Sequence, residues 1–168
     1  MRPKKSIAPG PLPSHRLSEP RFRPRVVFAR DEATGGREAP AEPARVLIVE
    51  DDFLIASEIE AALAEAGYHV VGVAPSADEA AGMAAAERPD LAVMDIRLSG
   101  KRDGIDAALE LFAKHGLRCI FATAHHNAEV RNRAAPAQPL AWIAKPYSMP
   151  SLVEAVRTAL RDLRNPKS

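Results

Sequence analysis

A single cysteine, Cys119, in 168 residues leaves no partner for an internal disulfide and excludes any cysteine-based zinc finger. Neither sign of charge dominates: 23 Lys and Arg face 22 Asp and Glu, a formal net charge of +1. A basic nucleic-acid binder and an acidic solvating chain are therefore both excluded as readings of the whole chain. Long apolar runs are missing as well. No stretch approaches the roughly 18 residues of a membrane span. The basic start, Met1 to Lys5, is not followed by the apolar segment of about 7–15 residues that a secretory signal needs. The expected setting is cytoplasmic, with neither a membrane nor nucleic acid expected as a partner. The length suits one compact domain with some chain to spare.

Charge and proline divide the chain unevenly. Residues 1–44 hold eight of the 15 prolines, with nine Lys or Arg against five Asp or Glu, a net of +4 that leaves −3 for the remainder. Each proline removes a backbone donor and restricts the residue before it, so regular structure cannot propagate there. The segment reads as a disordered Pro/Arg-rich extension. A domain is expected over 45–164, followed by a short tail at 165–168.

From Arg45 the pattern changes. The run Val46-Leu47-Ile48-Val49 is of the kind buried on both faces of a parallel sheet. A helix follows over 53–66, with Leu54, Ile55, Ile59, Ala62 and Leu63 on one face and Gly67 closing it. The alternation then repeats. Strands are expected at 69–74, 91–95, 118–123 and 140–144, and helices at 76–87, capped by Ser76 with Glu79 three residues on, at 105–115 and at 150–163. The segment 127–135 has Val130 as its only large apolar residue and is closed off by Pro136 and Pro139, so a short or irregular helix is expected. Five βα units imply an α/β fold, a five-stranded parallel sheet that is doubly wound in the flavodoxin-like manner.

In such a sheet ligands bind outside the carboxyl ends of the strands. There the chain carries Glu50, Asp51 and Asp52 after the first strand, Asp95 at the end of the third, Thr123 at the end of the fourth, and Lys145-Pro146 after the fifth. Two carboxylates about 5 Å apart at an effective dielectric near 20 repel by roughly 3 kcal/mol, so the cluster calls for a cation. Hard oxygen donors favour Mg²⁺ or Mn²⁺ over zinc. A cation beside Asp95 and the Lys145 amine can neutralise a phosphoryl group in flight, with the Asp95 carboxylate as nucleophile.

Taken together, Val46 to Asp52, Met94-Asp95-Ile96-Arg97-Leu98, Phe121-Ala122-Thr123-Ala124 and Lys145-Pro146 resemble the receiver domain of two-component response regulators, over about Val46 to Leu163. The resemblance implies that Asp95 accepts a phosphoryl group from a histidine kinase or histidine phosphotransfer protein. It implies that Asp51 ligates Mg²⁺ directly, Glu50 does so through water, and the Arg97 backbone carbonyl supplies a further ligand. Thr123 would hydrogen-bond the phosphoryl oxygen and Lys145 would pair with it, while Trp142 stands where the family carries its switch aromatic. The Phe-Ala-Thr triplet is also similar to a subgroup of single-domain receivers named for Phe-Ala-Thr-Gly and a succeeding aromatic, with Ala124 and His125 in place of those last two residues. Gly104 lies nine residues after Asp95, one more than in the commonest receivers, which puts an insertion in the loop 99–103.

Other positions have plainer readings. Asp52 reads as the cap of the first helix, and Cys119 as buried filler. Adjacent His125 and His126 cannot share one helical face as metal ligands. Arg97 and His125, each two residues beyond a site residue, are expected to modulate the lifetime of the acyl phosphate. With four residues after Arg164, a stand-alone phosphoacceptor switch is expected, acting through an unknown protein target and not as an enzyme on external substrates. The alternatives are a non-phosphorylated pseudo-receiver adaptor and an aspartyl-nucleophile phosphohydrolase.

Overall fold

A computed structural model of the chain describes residues 42–124 and 127–165. The Pro/Arg-rich extension up to residue 41, His125 and His126, and residues 166–168 lie outside the described residues. The elements in chain order are β1 (Arg45–Val49), α1 (Phe53–Glu65), β2 (His69–Ala74), α2 (Ala77–Glu87), β3 (Leu91–Met94), α3 (Gly104–His115), β4 (Cys119–Thr123), α4 (Ala128–Ala134), β5 (Ala141–Ala144) and α5 (Met149–Arg164). The strands form one parallel sheet in the order β2-β1-β3-β4-β5. Ala44, just before β1, is already buried and its carbonyl accepts from the His69 N–H.

The apolar strands feed two cores because side chains alternate across a sheet. Leu47, Val49, Ala92, Met94 and Phe121 pack on one side against α2 and α3. Val46, Ile48, Leu91, Val93, Ile120 and Ala122 pack on the other against α1 and α5. Burial on both faces explains why the strands read as continuous apolar runs and not as alternating ones.

Helix starts are set by side-chain caps. Asp52 accepts from the Leu54 and Ile55 N–H groups, Ser76 from that of Glu79, and Ser148 from that of Ser151. At α3, Asp103 and Asp106 form a reciprocal capping box. The expected weakness of α4 appears as a seven-residue helix that runs into a 3-10 turn, Ala135–Ala137, at Pro136. Only Ala134 of α4 is buried. Beside Ala134 and the half-buried Val130, which pack on the core, polar bonds hold α4: the Arg133 guanidinium donates to Asp103 Oδ2 and Oδ1 at 2.5 and 3.0 Å and to Asp106 Oδ1 at 2.7 Å. Burial alone would raise the Asp103 pKa, but Arg133 and the Asp106 N–H outweigh it and hold the carboxyl below its usual range.

Past the ends of β1 and β3 the ladder continues by one bond on each side. The Glu50 N–H donates to the Ala74 carbonyl at 3.1 Å, and the Asp95 N–H to the Val49 carbonyl at 2.9 Å. Both acidic positions are thus pinned to a neighbouring strand, Glu50 to β2 and Asp95 to β1, although β3 itself ends at Met94. The chain then returns so closely that a Cβ on Gly104 would lie 1.8 Å from the Asp95 carbonyl oxygen. Gly82, inside α2, has nothing within 4 Å of such a Cβ. Gly104→Ala is therefore expected to lower unfolding stability by about 2–3 kcal/mol, whereas Gly82→Ala should raise it by about 0.5–1 kcal/mol. Urea unfolding of the two variants checks both signs, and equal effects would contradict the close approach at Asp95.

Candidate functional site

The switch point of the sheet lies between β1 and β3, where the strand order reverses, and the carboxyl ends there carry the acidic residues. Glu50 is buried, with 4% of its surface exposed. Its Oε1 accepts from the Asp52 N–H at 3.2 Å and its Oε2 from Lys145 Nζ at 2.9 Å. The same Nζ donates to Asp95 Oδ2 at 2.7 Å, with 11% of the Asp95 side chain and 20% of the Lys145 side chain exposed. The second Asp95 oxygen, Oδ1, accepts from the Arg97 N–H at 3.3 Å. One ammonium from the last strand thus bridges carboxylates from the first and third.

The position of Lys145 follows from the sheet. Its N–H donates to the Thr123 carbonyl at 3.0 Å, one step beyond the paired end of β5, so its side chain starts at the end of β5, beside that of β4. The Lys145–Pro146 peptide is cis. Thr123 is 2% exposed at that strand end. Phe121, on the same face of β4 as Thr123, stacks on Trp142 with ring centroids 4.6 Å apart and planes inclined at 28°. The Arg131 guanidinium lies 5.1 Å above the Trp142 ring, so the half-buried indole is held between Phe121 and a cation.

Burial pushes the Glu50 pKa up, and the bonds from Lys145 and the Asp52 N–H offset this only in part. Burial also opposes the charge on Lys145, but its hydrogen bonds to Asp95 and Glu50 outweigh that and raise its pKa. The pair thus keeps Lys145 protonated throughout the neutral range.

Asp51, Asp52 and Arg97 are exposed. Asp52 caps α1, and Asp51 Oδ2 accepts from the Ser99 hydroxyl at 2.7 Å. Among the described residues no group of three His, Cys, Asp or Glu side chains is gathered as a protein-only metal cage. The donor set still suits a hard cation. Glu50, Asp51 and Asp95 bring three carboxylates to adjacent strand ends against the single ammonium of Lys145, an excess of negative charge built from oxygen donors. Mg²⁺ is commonly held by one or two carboxylates, its remaining positions being filled by water and phosphate, so a cage is not required.

The structure brings Glu50, Asp95 and Lys145 together through hydrogen bonds of Lys145, sets Thr123 at the adjoining strand end, bonds the Arg97 N–H to Asp95, and leaves Asp51 exposed on Ser99. Trp142 lies apart, against Phe121. His125 is outside the described residues. Sequence reading missed Ser99, the Arg133 clamp and the Gly104 approach. Of these only the Arg133 clamp carried a local signal, through its acceptors Asp103 and Asp106, which have the three-residue spacing of a capping box.

Residues 46–157 match the model of the response regulator receiver domain. The chain is 38% identical over 124 residues to the transcriptional regulatory protein PdtaR of Mycobacterium tuberculosis, an alignment covering 74% of this chain and 60% of PdtaR. It is 38% identical over 128 residues to the phyllosphere-induced regulator PhyR of Methylorubrum extorquens, over 75% of this chain and 46% of PhyR. The chain thus spans from under half to about three fifths of these relatives. Among solved structures, the signal receiver domain of a modulated diguanylate cyclase from Desulfovibrio desulfuricans superposes with a TM-score of 0.68 at 34% identity, over 74% of this chain and 99% of that one. A CheY-like receiver domain protein from Methanospirillum hungatei gives 0.65 at 27% identity, over 74% and 99%.

Lys145→Met leaves Glu50 without its cation, so the folded state takes up protons more readily than the unfolded one. Stability of the variant should then fall as pH rises above the unfolded Glu value of about 4.3. The deficit against the parent protein should be small at pH 4 and reach about 2–3 kcal/mol at pH 7.5. In the parent protein the stabilisation from Lys145 should persist up to its unfolded value of about 10.4 and be lost as pH rises through its higher folded value. Urea unfolding across pH checks this; a deficit of equal size at pH 4 and 7.5 would contradict it.

Proposed function

This chain belongs to the response regulator receiver family, and from that premise we propose that it acts as a phosphoacceptor switch, with Asp95 receiving the phosphoryl group. The observation that carries the reading is the Lys145 ammonium, which is bonded to Asp95 at 2.7 Å and to Glu50 at 2.9 Å. An oxygen of the Asp95 carboxylate attacks the phosphorus of a phosphohistidine on a histidine kinase or histidine phosphotransfer protein. The P–O bond forms as the P–N bond breaks, and its electron pair leaves on the donor imidazole nitrogen. Lys145 then transfers its charge from two carboxylates to the phosphoryl oxygens, and the Thr123 hydroxyl donates to one of them. Mg²⁺ or Mn²⁺ would be held by Asp51, Asp95 and the Arg97 carbonyl, with Glu50 acting through water, and would supply charge neutralisation for the incoming phosphoryl group.

Output follows from the same rearrangement. Once Lys145 and Thr123 turn to the phosphoryl group, the end of β4 shifts, and Phe121 on that strand carries the change to Trp142 and Arg131. The α4 surface, held by Arg133 more than by apolar burial, is the element free to reposition. A protein target reads that surface, and the exposed Phe53 and Leu54 at the start of α1 offer apolar contact beside the pocket for the phosphodonor. Among the described residues no helix is long and apolar enough to cross a membrane, and we place the switch in the cytoplasm.

Incubation with acetyl phosphate and Mg²⁺ should add one phosphoryl group that hydroxylamine removes and Asp95→Asn abolishes. Mass spectrometry reads the adduct. An unmodified protein would favour the pseudo-receiver adaptor, and continuous release of phosphate from external esters would favour the phosphohydrolase. Replacing Arg97 and His125 together by alanine should change the half-life of the adduct several-fold, measured by phosphate release, while an unchanged half-life would remove both from any role in hydrolysis.

A further inference from the structure

Ser99 lies in the loop between β3 and α3, the segment that carries one residue more than the commonest receivers. Its hydroxyl donates to Asp51 Oδ2 at 2.7 Å, across 48 residues of sequence. The loop that presents it is anchored on both sides. Leu98 packs on the core formed with α2 and α3. Arg102 donates to Asp78 at 3.0 Å and pairs with Glu110, which binds the far side of the loop to α2 and α3. Asp103 caps α3 and receives Arg133. Between these anchors Gly100 adopts a φ of +110°, a backbone conformation that side chains rarely adopt, so the turn immediately after Ser99 is specified by glycine.

We propose that Ser99 is a positioning residue for Asp51: by occupying Oδ2, its hydroxyl fixes the rotation of an otherwise exposed carboxylate and leaves Oδ1 directed to a hard divalent cation. A carboxylate that enters a metal site already oriented loses less freedom on binding, and partners that orient a ligand commonly contribute 10–100-fold in metal affinity. The inference rests on the reading of Asp51 as a ligand, and it gives the enlarged loop a task within the site.

MgCl₂ titration by calorimetry on the unphosphorylated full chain tests it. Ser99→Ala should weaken Mg²⁺ binding about tenfold, Ser99→Thr, which keeps the hydroxyl, should restore most of it, and the melting temperatures of both without Mg²⁺ should match the parent protein. Asp51→Asn should lose binding altogether. If Ser99→Ala binds Mg²⁺ like the parent protein while Asp51→Asn does not, or if Ser99→Thr fails to recover affinity, the positioning role is overturned and the metal reading survives. If Asp51→Asn binds like the parent protein, both are overturned.

Discussion

The contact on which the rest of the site depends is the pair of hydrogen bonds that Lys145 Nζ donates, one to Glu50 and one to Asp95. Those carboxylates stand at the ends of adjacent central strands, where the backbone ladder leaves them no freedom to separate. With strands about 4.8 Å apart, the end of β5 lies roughly 10 Å from that of β3, so the cation must cross the end of β4 to arrive. A lysine stem and an aspartate side chain together close that gap. Because a single ammonium answers three carboxylates, the pocket keeps an excess of negative charge, which under the proposed function a divalent cation and then a phosphoryl group would answer.

Around this contact the molecule is rigid on one side and loosely tied on the other. The backbone of Asp95 is locked between the Val49 carbonyl and the close pass of Gly104, and the loop beyond packs Leu98 on the core and ends in the Asp103–Asp106 capping box. By contrast α4 contributes one buried alanine and is held by Arg133 on the capping box of α3, with Arg131 on Trp142. Ion pairs with partly exposed partners are weaker than core packing. A change in charge at the strand ends therefore meets its least resistance toward α4 and the Trp142 face, the side on which the proposed switch would carry its signal.

Most of the fold is legible in the order of residues because the signals that specify it are local. A run such as Val46 to Val49 reports burial on both faces, Asp52 and Ser76 report caps, and a single Val130 in a segment closed off by Pro136 and Pro139 reports a poor helix. The placement of the candidate site residues is legible for a similar reason, since strand ends in a parallel sheet converge and Glu50, Asp51, Asp95, Thr123 and Lys145 all occupy them. Contacts set by register and loop path could not be read. Nothing near Lys145 indicates that it bonds Glu50, 95 residues away, as well as Asp95. Ser99 looks like a loop serine until the turn at Gly100 brings it to Asp51, and Gly104 looks like a helix start until the Asp95 carbonyl is found where its side chain would be.

The most direct measurement is a crystal structure of the chain with Mg²⁺ and beryllofluoride. The account predicts beryllium bonded to an Asp95 carboxylate oxygen, Lys145 Nζ and Thr123 Oγ1 on fluorine atoms, and the Glu50 bond to Lys145 given up or lengthened. Beryllofluoride bound elsewhere, or present on Asp95 while Lys145 keeps its bonds to Glu50 and Asp95 unchanged, would contradict it.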